Sequence, residues 1–172
     1  VAQFEPAVQA TLIFEGDYSN NVNDAGGETY RGISRRSWPL WSGWGYVDIE
    51  RSDINFPYCL DRNLGLQGNV LDFYRVNFWQ YDGINNQLVA NKIFDLSVNV
   101  GKVHAIKIAQ GACSTVQDGL YGPNTENAIN STSNGSLLTA IKQSAIQYHE
   151  SIVISHPQDA VFLKGWIARD NA

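Results

Sequence analysis

The sequence predicts a mainly α domain with at most one small β element, and three observations lead there. Apolar residues recur at three- and four-residue spacing in six separate stretches, which is the mark of buried helical faces. The long early interruption, residues 16–32, is dominated by Gly, Asn, Asp and Tyr and reads as a loop or a short irregular hairpin. No repeat, linker or low-complexity tract divides the chain, so 1–172 reads as one domain, with residues 1–80 and 81–172 as its two halves.

Phe4, Val8 and Leu12, with Ala7, Thr11 and Phe14 alongside, form the first helical face, with Pro6 near its first turn and Gly16 just past its end. Ser34 stands where it would cap a short helix stopped by Pro39. From Leu40 to Leu64 the chain holds Trp41, Trp44, Tyr46 and Pro57 without clear periodicity and reads as irregular. Helical spacing returns with Val70, Phe73, Tyr74, Asn77 and Phe78. It continues with Val89, Ile93, Leu96 and Val100, and then with Ala105, Ile108, Ala109 and Ala112. Gly119 and Gly122-Pro123 break the run before a helix over Asn124–Ile129. Leu137, Ile141, Ala145, Tyr148 and Ile152 support a long helix ending before Pro157, and Val161, Phe162, Gly165 and Trp166 a last short one.

With 172 residues, 44% hydrophobic and 17% charged, the chain is ordinary for a folded protein. A net charge of -5 offers no general attraction to nucleic acid or to an anionic membrane. No apolar run is long enough for a membrane span, so stable membrane insertion is not expected. The first residues lack a basic-then-apolar leader, while a start at Val1 leaves a removed one open. Cys59 and Cys113 are read as free thiols or as a pair. His104, His149 and His156 are scattered without ligand spacing, so no metal and no cofactor is expected.

Two carboxylates carry the chemistry. Glu15 falls where the first apolar helix pattern gives way to the polar loop, as though on a last helical turn. The negative helix end and apolar neighbours there favour its protonated form. Asp24, with eight residues between it and Glu15, lies among polar neighbours that tolerate an ionised group. Carboxyl groups in opposed environments are the apparatus of acid–base glycosidic cleavage. Their separation would report the outcome, roughly 5–5.5 Å for retention and about 6.5–9.5 Å for inversion. Turn chemistry is the alternative role for Asp24.

Six motifs, in order along nearly the whole chain, resemble the family-108 glycoside hydrolases, phage and prophage N-acetylmuramidases with a predicted peptidoglycan-binding C-terminal half. Glu15-Gly16-Asp17-Tyr18 resembles the family's Glu-Gly-Gly-Tyr. Asp24-Ala25-Gly26-Gly27-Glu28-Thr29-Tyr30-Arg31-Gly32-Ile33-Ser34 is similar to Asp-Pro-Gly-Gly-x-Thr-x-x-Gly-Ile-Thr. Phe78-Trp79 matches an aromatic–Trp pair, and Asp95-Leu96-Ser97-Val98-Asn99-Val100-Gly101 matches Asp-x-x-Val-Asn-x-Gly. Asp118-Gly119-Leu120-Tyr121-Gly122-Pro123-Asn124-Thr125 and Gly165-Trp166 with Arg169 complete the set. Asp17 stands in place of a glycine, Ala25 in place of a proline, and Tyr30-Arg31 where Asn-Tyr or similar pairs are common.

The resemblance implies a lysozyme-like fold and hydrolysis of the β-1,4 bond between N-acetylmuramic acid and N-acetylglucosamine, with Glu15 as catalytic acid. Asp24 is then a base or a transition-state stabiliser, and Thr29 positions water or holds the loop. The spacing from Glu15 to Asp24 also resembles phage-type lysozymes, although four residues rather than five precede Thr29. Tyr18, Gly26, Gly27, Tyr30 and Asn99 are the expected substrate-binding residues. Asp95 and Asn99 share a helical face and are expected to bond the active-site loop. Trp38, Trp41 and Trp44 offer rings for sugars, one or two of them in the groove. The groove itself is expected between the first helix with its loop and the helices from Val70 to Ala112.

The expected partner is the peptidoglycan glycan strand, and the expected setting is a monomeric phage endolysin causing bacteriolysis. It would wait in the bacterial cytoplasm for holin-dependent export to the cell wall. The rival readings are a lytic transglycosylase on the same bond and a non-catalytic peptidoglycan-binding or phage structural protein.

Overall fold

The computed structural model describes residues 1–21 and 27–172. The chain divides into two compact units, Leu12–Trp79 and a second made from Val1–Thr11 with Gln80–Ala172.

The second unit is helical. Its α1 (Phe4–Leu12) buries Phe4, Ala7, Val8 and Thr11 on one face, as the four-residue spacing predicts. Reciprocal 2.8 Å hydrogen bonds between Gln3 and Gln87 tie the start of α1 to α4 (Gln87–Val100), and Phe4 meets the Phe94 ring edge-on at 5.8 Å. The α4 helix is capped by Asn86, whose side chain accepts from the Val89 amide at 3.1 Å. It buries Val89, Ala90, Ile93, Phe94, Leu96 and Ser97, more than one stripe, and so is the central helix of this unit. Gly101, at φ +85°, breaks the run before α5 (Lys102–Ala112). Then follow α6 (Pro123–Ser131), α7 (Asn134–Ser155) and α8 (Ala160–Asn171), with Leu137, Ile141 and Ala145 as the buried stripe of α7.

The Leu12–Trp79 unit carries the only sheet among the described residues. Its strands are β1 (Tyr18–Asn20), β2 (Glu28–Tyr30) and β3 (Ile33–Ser34), antiparallel in that order. The expected small hairpin is thus extended by a third strand. It is followed by α2 (Gly43–Glu50), a 3-10 turn (Tyr58–Arg62) and α3 (Leu64–Phe78), which is capped by Asn63 accepting from the Leu66 amide at 3.0 Å.

Three expectations need correction. Ser34 starts no helix: it ends β3, and its hydroxyl accepts from the Ser37 amide at 3.3 Å in a simple turn. The stretch Leu40–Leu64 is not mostly irregular, since it holds α2 and the 3-10 turn. Gly43 and Gly45 weaken the helical signal by about 1 kcal/mol each. Tertiary packing overrides them: Trp44 is buried, donates to the Trp38 carbonyl at 2.8 Å, and has the Arg35 guanidinium 4.5 Å above its ring. Lastly, α1 ends at Leu12, so Glu15 lies beyond its last turn.

Cys59 and Cys113 are free and half-buried. Among the described residues no helix is long and apolar enough to cross a membrane.

Candidate active site

The site is built on the turn between β2 and β3. Tyr30 pairs with Ile33, leaving Arg31 and Gly32 as a two-residue connection. Both are left-handed, at φ +48° and +76°, as a type I′ hairpin turn requires. Arg31 pays for that conformation with about 1–2 kcal/mol. Several contacts hold it there. The Tyr74 hydroxyl, on α3, donates to the Arg31 carbonyl at 2.6 Å. The Arg31 guanidinium pairs with Asp61 at 2.9 Å and Asp17 at 3.2 Å. Tyr30, beneath the turn, donates to Asp61 at 3.2 Å and accepts from Gln67 at 2.8 Å.

Glu15 is brought onto this turn by the chain leaving α1. Its amide reaches back to the Leu12 carbonyl at 3.4 Å, and Gly16 follows at φ +67°. The half-buried carboxyl lies directly over the Gly32 α-carbon. A Cβ at Gly32 would sit 2.3 Å from Glu15 Oε2 and 2.8 Å from the Tyr74 hydroxyl oxygen. Gly32 is thus required twice, by its backbone angle and by this close approach. Three elements converge on one point, which immobilises an acid without enclosing it.

Asp17, the extra carboxylate beside Glu15, is answered by Arg31. Two of the three departures from the family motifs, at Asp17 and Arg31, therefore form one ion pair. The pair is exposed on the aspartate side, so it contributes little stability, and its role is local charge balance.

Asp24 and Gly26 fall outside the described residues. Thr29 is half-buried at the centre of β2, opposite Ser19 and Ser34, and strand alternation puts it on the other sheet face from Glu28 and Tyr30. Gly27 is at φ +63°, and among the described residues nothing lies within 4 Å of where its side chain would be. The Tyr18 hydroxyl donates to Glu28 at 2.9 Å and accepts from Arg51 at 3.2 Å, while its ring meets Phe56 edge-on at 4.8 Å. Glu28 in turn pairs with Arg35 at 2.8 Å and with Arg51, bracing the sheet against α2. Tyr30 is 1% exposed and offers no surface to a ligand. Asn99 is on α4 in the helical unit, and its amide nitrogen is buried with no partner among the described residues.

The later motifs are structural joints. Asp95 receives a two-pronged bond from Arg169, at 3.1 Å from Nε and 2.9 Å from Nη2. Lys92 donates to the Arg169 carbonyl at 2.7 Å, so the fourth and sixth motifs meet inside one unit. The fifth motif wraps a single buried side chain. Gln110 Nε2 donates to Asp118 at 2.7 Å and Thr125 at 2.9 Å, and its Oε1 accepts from the Gly119 amide at 3.0 Å.

Sequence reasoning missed Tyr74 as a site residue, reading it only as part of an apolar face. It also missed the grouping of Glu50, Asp53 and Cys59, whose ligand-type atoms lie within 4.8 Å of one another. There Asn63 donates to Glu50 at 2.8 Å, and Arg62 lines the same pocket.

The family model "Glycosyl hydrolase 108" matches residues 8–101, more than half of the chain, and "Predicted Peptidoglycan domain" matches residues 104–171. No curated protein matches. Among solved structures, that of Brucella abortus SagA is similar, with a TM-score of 0.70 and 22% identity over 98% of this chain and 89% of that one. That likeness speaks for the lysozyme-like, mainly α fold. The chain belongs to glycosyl hydrolase family 108 and is a glycoside hydrolase directed at peptidoglycan.

Proposed function

We propose that the protein is an N-acetylmuramidase in which Glu15 is the general acid. The observation carrying this is the carboxyl of Glu15 seated on Gly32 beside the Tyr74 hydroxyl, in a family-108 chain. Glu15 gives its proton to the oxygen that leaves as the β-1,4 bond between N-acetylmuramic acid and N-acetylglucosamine breaks. Water adds to the anomeric carbon, and the proton it releases restores the acid. Asp24 serves as base or as stabiliser of the oxocarbenium-like transition state. Thr29 positions water or the loop.

Mass spectrometry of the muropeptides released from purified peptidoglycan tests the reading. Reducing N-acetylmuramic acid ends are expected. Anhydro ends would replace hydrolysis by transglycosylation, and no release would leave a binding protein.

The setting we propose is a monomeric endolysin kept in the bacterial cytoplasm until a holin admits it to the wall, as the motif resemblance implies. Expression with and without a holin checks this. Lysis should need the holin, and lysis without one would refute the setting.

A further inference from the structure

The Trp38–Ser42 loop and α3 line an open cleft of about 570 Å³, a size usual for small-molecule sites. Trp38, Leu40, Trp41, Asp72, Phe73 and Asn77 are among the residues that line it. We propose that this cleft is a saccharide subsite that takes uncharged N-acetylhexosamine rings of the glycan strand. The proposal deepens the muramidase reading and rests on it.

The cleft is a built platform. Trp44 donates to the Trp38 carbonyl at 2.8 Å, and the Trp41 indole donates to the Asn69 carbonyl at 3.3 Å. Phe73 is met by the Trp38 ring at 4.9 Å and the Trp41 ring at 6.1 Å. Yet Trp38 remains 41% exposed, and its indole N–H has no partner among the described residues. Leu40, at the lip, is 97% exposed. A surface of this kind, rigid and apolar with a free donor, suits the C–H face of a sugar ring with hydroxyls at its rim.

Charge narrows the occupant. The lining residues include one carboxylate, Asp72, which is exposed and without a partner among the described residues, and no cation. A phosphate chain or the carboxylates of a stem peptide would meet repulsion there. Sugar hydroxyls and N-acetyl amides would instead find an acceptor in Asp72 and an amide in Asn77.

Position links the cleft to the acid. Phe73 forms its wall, and the next residue on α3, Tyr74, with its ring 5.4 Å from Phe73, carries the hydroxyl beside Glu15. One helix therefore presents a sugar platform and the acid's neighbour on adjoining faces.

The test is titration of the Glu15→Gln protein with the N-acetylglucosamine tetramer, followed by NMR of the indole N–H signals. The Trp38 and Trp41 signals should shift. Trp38→Ala should weaken binding about tenfold, Trp38→Phe should largely retain it, and Asp72→Ala, altered only at an exposed carboxylate, should weaken it severalfold. In the active chain Trp38→Ala should raise KM with kcat nearly kept. Unmoved signals with unchanged affinity in both alanine variants would overturn the subsite, as would preferential binding of sugar-free stem peptide. Muropeptide release separates the two readings. Release by the wild type with Trp38 silent sinks the subsite alone, while no release with Trp38 responsive sinks the muramidase assignment alone.

Discussion

Replacing Gly32 by alanine sets two penalties on one residue. The first is backbone strain: φ is +76°, where an L side chain is disfavoured by about 1–2 kcal/mol. The second is steric, because the new methyl would start 2.3 Å from Glu15 Oε2 and 2.8 Å from the Tyr74 hydroxyl. Both groups must retreat, and the 2.6 Å bond from Tyr74 to the Arg31 carbonyl then weakens, removing about 0.5–1.5 kcal/mol more. The expected destabilisation is about 2–3 kcal/mol, or a Tm lower by roughly 5–10 °C for a chain of this size. Activity should suffer more, since a misplacement of about 1 Å in a reacting group costs on the order of 100-fold. Gly101→Ala is the reference. Its φ is also positive, at +85°, but with ψ 149° it lies in a region nearly closed to L side chains, and a Cβ there meets nothing within 4 Å among the described residues, so it reports backbone strain alone. Thermal melts and peptidoglycan turbidity decay for both variants separate strain from displacement. If Gly32→Ala kept wild-type turnover and lost less than about 1 kcal/mol of stability, the convergence of Glu15 and Tyr74 on Gly32 would be wrong.

Other perturbations probe the supports of this arrangement. Tyr74→Phe removes one hydrogen bond and should cost about 1 kcal/mol in urea denaturation, together with a several-fold fall in kcat. Arg169→Ala strands Asp95, which is 7% exposed, and should destabilise the helical unit by about 3 kcal/mol, the low end for a broken buried pair because Lys92 lies 3.9 Å from the carboxylate. A loss below about 1 kcal/mol would deny that the joint matters. Hydrogen bonds from Arg35, opposed by partial burial and joined by bonds from Arg51, hold the Asp48 carboxyl below its usual range. A depressed carboxylate stabilises the fold above its unfolded value near 4, and that contribution fades as pH falls through the folded value. Melts of wild type and Asp48→Asn should therefore differ at pH 7 by a gap that narrows as the pH falls below about 4, whereas a constant gap would contradict the assignment.

The helical faces were legible in the sequence because burial writes itself at a 3.6-residue period. Phe4, Val8, Val70, Phe73, Ile93, Leu96, Leu137 and Ile141 all read as core and are core. What the period does not encode was harder to read. The α2 helix, with Gly43 and Gly45, owes its existence to Trp44 packing rather than to its own pattern. The position of Glu15 past the end of α1 depends on the chain leaving the helix after Leu12, which an apolar spacing continued by Phe14 does not announce. The meeting of Asp17 with Arg31, of Asp95 with Arg169, and of Tyr74 with the Arg31 turn joins residues from 14 to 74 positions apart, and no local spacing announces such pairs. Motif resemblance marked most of these residues as related without saying which would touch.

The most direct measurement is the turnover of purified peptidoglycan by Glu15→Gln beside wild type, with circular dichroism melts on the same preparations. An amide keeps the size of the side chain but has no proton to give. The account predicts an unchanged fold and a kcat lower by about 10²–10⁴-fold. A variant equally folded and active within a factor of a few would contradict Glu15 as the acid.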